Sequence, residues 1–171
     1  IPGTTKLYRD YLKTVKEKKI PFHAAKDGVS TSVGGAQLTF FSLPAPIQED
    51  GKPDLNNNSV VFRLQLGEFS MLFTGDIEQA AEEKLVGRYG GKLASKVLKV
   101  AHHGSRTSSS TDFLRTVKPE TALISLGANN DYGHPHQAAL RRIEQSKAKV
   151  WRTDQQGTIA IETDGKQYQV K

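Results

Sequence analysis

Leu72-Phe73-Thr74-Gly75-Asp76 and, one helix-length further on, Val97-Leu98-Lys99-Val100-Ala101-His102-His103-Gly104-Ser105 are short apolar runs that stop abruptly at residues able to bind a metal. Runs of this kind read as buried strands. In an α/β protein, functional groups gather where strands end and loops begin. Carboxylate oxygen and imidazole nitrogen together suit borderline cations such as Zn²⁺ and Mn²⁺, so Asp76 with His102 or His103 makes half of a metal site.

Outward from these runs, the pattern predicts an α/β fold. Strands over 59–66 and 69–74 flank a Gly67-Glu68 turn, giving a hairpin. A helix over 77–89 stops at Gly90-Gly91, and a strand over 96–101 leads into the His-His-Gly-Ser-Arg loop. A helix over 111–117, a strand over 121–126, a loop over 127–134 and a helix over 135–147 follow, then short strands at 149–152, 158–162 and 167–170. Toward the N-terminus, Thr4-Thr5 offers an N-cap, and Leu7, Tyr8, Tyr11, Leu12 and Val15 fall at helical spacing over 5–18. Strands are expected near 21–25, containing His23, and at 37–42. The polar, proline-bearing stretch 44–58 reads as a long surface loop.

The 171 residues suit one domain with a sizeable core, and 36% hydrophobic with 25% charged residues excludes a disordered chain. No apolar run approaches the roughly 18 residues of a membrane span. The chain begins at Ile1 rather than Met, as an excised piece of a longer protein would. Twenty-four Lys and Arg against 18 Asp and Glu leave a charge of +6, which favours anionic partners such as nucleic acid. With no cysteine, a metal must use His, carboxylate or amide ligands.

Each candidate also has an ordinary reading. Asp76 with Gln79 has capping-box spacing for the helix at 77, and His134 before Pro135 marks a helix start. Ser108, Ser109 and Ser110 are cap material for the helix at 111. The adjacent imidazoles of His102 and His103 resist such an account. In extended backbone they would point to opposite faces, one toward a metal and the other toward its surroundings or the substrate. His134-Pro135-His136, imidazoles at a helix N-terminus, would suit a phosphate oxygen.

Phe73-Thr74-Gly75-Asp76, then 98–108 (LKVAHHGSRTS), then 124–136 (ISLGANNDYGHPH) resemble, in order, motifs of the metallo-β-lactamase-like domain of DNA-uptake competence proteins of the ComEC type. The resemblance runs from about 59 to 163, and more loosely from residue 1. It implies an α/β fold, the four-layer αβ/βα sandwich of metallo-β-lactamases, as a single domain truncated at its N-terminus. It implies two divalent ions, Zn or Mn, in the intact domain. Asp76 would bridge them, and His103, with His102 as rival, would ligate one.

Asn57-Asn58-Ser59 stands where many superfamily members carry a ligand histidine. The His-x-His-x-Asp-His motif is absent, so the resemblance implies that the chain starts after it and is inactive alone. The intact domain would be a hydrolase in which metal-activated water attacks phosphorus. His102, His134 and His136 would serve as catalytic groups, with His134 or His136 protonating the leaving alkoxide. Lys99, Ser105, Arg106 and Asn58 would contact substrate. The implied function is a nuclease acting on DNA during competence uptake, on a parent chain that also carries a membrane channel domain, as an extracytoplasmic or membrane-tethered unit. A choline-phosphate or cell-wall polymer phosphodiesterase, and a non-catalytic DNA-binding module with a vestigial site, are the alternatives.

Overall fold

The computed structural model describes residues 5–21 and 25–171. Helix α1 (Lys6–Glu17) begins where the Thr5 hydroxyl accepts from the Tyr8 N–H at 3.2 Å. No residue of α1 is buried, and Leu7 and Tyr11 of its apolar stripe are 80% and 58% exposed. The strand expected near 21–25, with His23, falls on residues 22–24 and lies outside the described residues. A strand not foreseen, β1 (Ser30–Val33), pairs with β2 (Ala36–Phe41).

The stretch 44–58 is less of a surface loop than its composition suggests. It forms the two-residue ladder β3 (Gln48–Glu49) and β4 (Lys52–Pro53), and it buries Ile47 and Asn57. Then come β5 (Val61–Leu66), β6 (Phe69–Phe73), α2 (Gln79–Tyr89), β7 (Val97–Lys99), α3 (Thr111–Val117), β8 (Thr121–Ile124), α4 (Gln137–Gln145), β9 (Lys149–Arg152), α5 (Thr153–Gln156), β10 (Ile161–Thr163) and β11 (Tyr168–Val170). Both helices expected to start at 77 and 135 begin two residues later. Ile77 is buried at 1% exposure, packing as a core side chain ahead of α2.

Seven strands form one mixed sheet in the order β1-β2-β5-β6-β7-β8-β9. The hairpin half is antiparallel, whereas β6, β7, β8 and β9 run parallel. Because parallel neighbours need crossovers, α2, α3 and α4 each bridge one step, and successive steps in one direction put all three on one face. There Leu72, Leu98, Val100, Ala122 and Ile124 of the sheet meet Leu85 of α2, Phe113, Leu114 and Val117 of α3, and Leu140 and Ile143 of α4. Each fully buried Leu or Ile here contributes about 1.5–3 kcal/mol.

On the opposite face the β10–β11 hairpin covers Phe69, Val97 and Leu123 with Ile161, Tyr168 and Val170. Beyond the hairpin, Phe62 stacks on Phe73 with centroids 4.5 Å apart and Phe40 follows at 5.8 Å, a row left half-buried. The architecture is thus mixed α/β. The described residues supply one large sheet with helices on one face and a hairpin on the other, and no second large sheet of the expected four-layer sandwich is among them.

Candidate active site at the strand ends

Parallel strands deliver their carboxyl ends to one edge, and β6, β7 and β8 do so here. Thr74 buries its side chain and donates its hydroxyl to the Lys99 carbonyl at 2.7 Å, tying the end of β6 to the end of β7. Gly75 then turns with φ 55°, and a Cβ there would lie 2.6 Å from the Ser59 Cβ. The Gly75 carbonyl accepts from the His102 N–H at 3.1 Å, and the Ser59 hydroxyl accepts from the Asp76 N–H at 3.1 Å.

The Asp76 side chain caps nothing. Helix α2 starts with Glu78 as N-cap, and the Asn57 amide oxygen accepts from the Glu78 and Ala81 N–H groups at 2.9 and 3.2 Å. The capping-box reading of Asp76 and Gln79 is overturned, because a side chain twenty-one residues upstream already satisfies the orphan donors. Gln79 instead donates to Glu83 at 2.8 Å. The serine caps of α3 are likewise replaced. Ser110 is the N-cap but makes no side-chain cap bond, and the buried Glu82 carboxylate accepts from the Ser109 and Ser110 N–H groups at 2.5 and 2.8 Å. Burial pushes the Glu82 pKa up, against the pull of those N–H groups and of Arg142.

His102 and His103 are not extended. Both lie in a tight turn over Ala101–Gly104 with φ of 48° and 53°, a left-handed conformation that costs of order 1–3 kcal/mol per non-glycine residue. The neighbouring Gly104 has φ 80°, and a Cβ on it would stand 2.7 Å from the Pro135 Cβ. Its carbonyl accepts from the His136 N–H at 2.9 Å, joining the His-His loop to the start of α4.

The turn sends the two imidazoles to different carboxylates. His103 Nδ1 lies 2.5 Å from the Ser125 carbonyl, which can only accept, so Nδ1 carries the proton and Nε2 is left facing Asp76 Oδ1 at 3.6 Å. Both side chains are 45% exposed. Thr153 fixes the carbonyl-bearing strand end by accepting from the Leu126 N–H and donating to the Leu126 carbonyl, both at 2.8 Å. His102 Nδ1 is 3.0 Å from Glu78 Oε1, yet the angle is not that of a hydrogen bond, and this buried nitrogen has no hydrogen-bonding partner.

His134 stands among the others, with ring centroids 4.8 Å from His136, 5.6 Å from His102 and 6.4 Å from His103. Asn130 holds it, accepting from the His134 N–H at 2.9 Å and donating to its carbonyl at 2.8 Å. Burial, and then the neighbouring imidazoles, push the His134 pKa down from 6.5, while Asp76 pulls the other way. His136 Nδ1 accepts from the Arg106 N–H at 3.2 Å, which leaves its Nε2 bearing the proton.

Of the expected substrate contacts, Lys99 is largely buried and donates to the Val100 carbonyl at 3.1 Å; burial lowers its pKa while Asp76 raises it. Arg106 is exposed beside His136. Ser105 is buried, with its hydroxyl 2.9 Å from that of Thr107. Asn58 accepts from the Ile47 N–H and donates to the Ile47 and Asp54 carbonyls, so its amide is committed to holding its own loop.

A divalent ion between Asp76 and His103 fits the chemistry of the pair. With Nε2 unprotonated, its lone pair facing a carboxylate is repulsive until a cation lies between them, and an Nδ1–H held by a backbone carbonyl is the usual setting of a metal-ligating imidazole. Beyond that pair, no group of three or more His, Asp or Glu is placed to hold a metal among the described residues.

Sequence reasoning missed Glu78, Glu82, Asn130 and Arg142, and it missed the capping role of Asn57. Glu82 had a signal, a carboxylate three residues before Leu85 on the buried stripe of its helix. Asn57 had none.

No family model matches the chain. It is 34% identical over 148 residues to ComE operon protein 3 of Bacillus subtilis (strain 168), spanning 86% of this chain and 18% of that protein. It is 46% identical over 106 residues to Competence protein ComA of Neisseria gonorrhoeae, spanning 62% and 15%. It is also 38% identical over 106 residues to Recombination protein 2 of Haemophilus influenzae, spanning 62% and 13%. The chain is a homologue of one segment of these competence proteins. It spans less than a fifth of the length of each. Among the described residues no helix is long and apolar enough to cross a membrane.

Proposed function

We propose that this chain carries part of a metal-dependent phosphodiesterase centre that acts on DNA during competence uptake, within a longer parent protein that also holds a membrane channel domain. The observation that supports it most is the 3.6 Å approach of Asp76 to an imidazole whose other nitrogen is already tied to Ser125. Asp76 and His103 would hold Zn²⁺ or Mn²⁺, with the remaining ligands supplied by a segment outside this sequence. Bound there, divalent ions would supply Lewis acidity to a phosphoryl oxygen and activation to water.

The chain's own groups divide the other tasks. His136, with Nδ1 occupied by the Arg106 N–H, presents an Nε2–H as a hydrogen-bond donor to a phosphoryl oxygen. His134, whose pKa is pushed down, is an unprotonated imidazole that accepts a proton or ligates. The positive charges of Lys99 and Arg106 orient the phosphate.

The test is Mn²⁺- or Zn²⁺-dependent cleavage of DNA by the longer parent protein and by its Asp76→Asn and His103→Ala variants. We expect cleavage by the parent, loss of cleavage in both variants, and metal affinity weakened at least about tenfold. Metal binding and cleavage untouched by Asp76→Asn would overturn the assignment. A second reading, a DNA-binding module with a vestigial site, has in its favour that no group of three or more His, Asp or Glu among the described residues is placed to hold a metal. It predicts DNA binding with neither bound metal nor cleavage.

A further inference from the structure

Two clefts adjoin on the helical side of the molecule. The nearer, about 230 Å³, opens beside Arg106 and reaches Thr111 and Arg142. The farther, about 380 Å³, starts from the same two residues and runs between α3 and α4 past Arg115 and Lys118. Four cations therefore border one continuous groove, and no carboxylate lines either part.

Arg142 is held rigid, donating to the carbonyls of Arg106, Ser108 and Ser109 at 2.7–2.9 Å. Among the described residues Arg115 forms its ion pair with the exposed Asp112, at 3.0 Å, a pair too solvated to be worth much. Lys118 is exposed at the end of α3. The groove begins at the residue whose N–H binds His136, so it starts beside the imidazole cluster.

Its lining also contains no aromatic ring on which a base could stack, while Ser110 and Thr111 offer hydroxyls. Cations and hydroxyls without a stacking platform suit phosphates and cannot read bases. We propose that this groove is the track along which a single DNA strand engaged at the imidazole cluster runs, held by its phosphates without regard to sequence. The identity of the strand rests on the phosphodiesterase reading, but the track can be tested without cleavage.

The experiment measures binding of a fluorescein-labelled oligothymidine to the full chain by anisotropy, in EDTA, across a range of salt. Arg115→Gln with Lys118→Gln is compared with Lys166→Gln with Lys171→Gln, an equal charge change at or beside the β10–β11 hairpin on the opposite face of the sheet. We expect the first pair to weaken binding about tenfold at low salt and to flatten the log–log salt slope by about 1.4, two phosphate contacts at about 0.7 each. The second pair should leave the slope unchanged.

Equal slopes for both pairs, or no loss with the first, overturn the track. Because EDTA removes metal chemistry from the assay, failure of Asp76→Asn to alter cleavage in the parent protein would strike the phosphodiesterase reading alone.

Discussion

Asp76 shows how a single residue's role turns on what another side chain has already done. Asn57 satisfies the first N–H groups of α2, which leaves the Asp76 carboxylate free beside His103. Asp76→Ala should therefore shift folding stability by no more than about 0.5 kcal/mol. Asn57→Ala leaves two N–H donors near the buried start of α2 unpaired and should cost about 1–3 kcal/mol. Urea denaturation of both variants checks the pair of outcomes, and a large loss with Asp76→Ala would restore it as a cap. At His103 the left-handed backbone and the Ser125 carbonyl together fix which nitrogen faces the carboxylate.

The elements place these residues through close approaches that only glycine allows. The His-His turn can lie against the start of α4 because Gly104 has no side chain; a methyl group would meet Pro135 at 2.7 Å in a backbone conformation that L-residues rarely adopt. Gly104→Ala should lower stability by more than about 1 kcal/mol. Gly87→Ala in α2 meets nothing within 4 Å and should raise stability by about 0.5–1 kcal/mol. Thermal melts of the two variants, moving in opposite directions, would separate a steric requirement at Gly104 from a general penalty for losing glycine.

For the whole molecule, the change from antiparallel to parallel pairing at β6 and β7 decides where chemistry can occur, since it collects four carboxyl ends, those of β6 to β9, at one edge. Glu82 of α2 locks that edge to α3 through Ser109 and Ser110. With its pKa raised by burial, the folded chain keeps the Glu82 proton at pH values where the unfolded chain, titrating near 4.5, has released it. Its contribution to stability is thus fully present below about pH 4.5 and is lost as pH rises through the folded value. As pH rises above about 4.5 the urea midpoint should fall more steeply for the native chain than for Glu82→Gln, which has no proton to lose there. Parallel pH profiles for the two would show that Glu82 does not titrate in that range.

The strands from β5 onward were legible in outline, most clearly β6 and β7, because buried parallel strands are apolar nearly throughout and here stop at glycine, aspartate or histidine. The helix starts at 77 and 135 were misjudged, since Ile77 and Pro135 serve packing rather than the helix itself. The short strand β1, exposed along its whole length, carried no apolar pattern to read.

Sequence by itself determined that Asp76, His102 and His103 would follow strand ends and that His134 and His136 would stand at the start of a helix, because local hydrophobicity sets where a strand stops and a helix begins. Only the tertiary structure decided that His103 faces Asp76, that His102 faces Glu78, and that Asn57 and Glu82 do the capping. Those pairings join residues about 20 or more positions apart or depend on two left-handed backbone angles, and short-range patterning encodes neither.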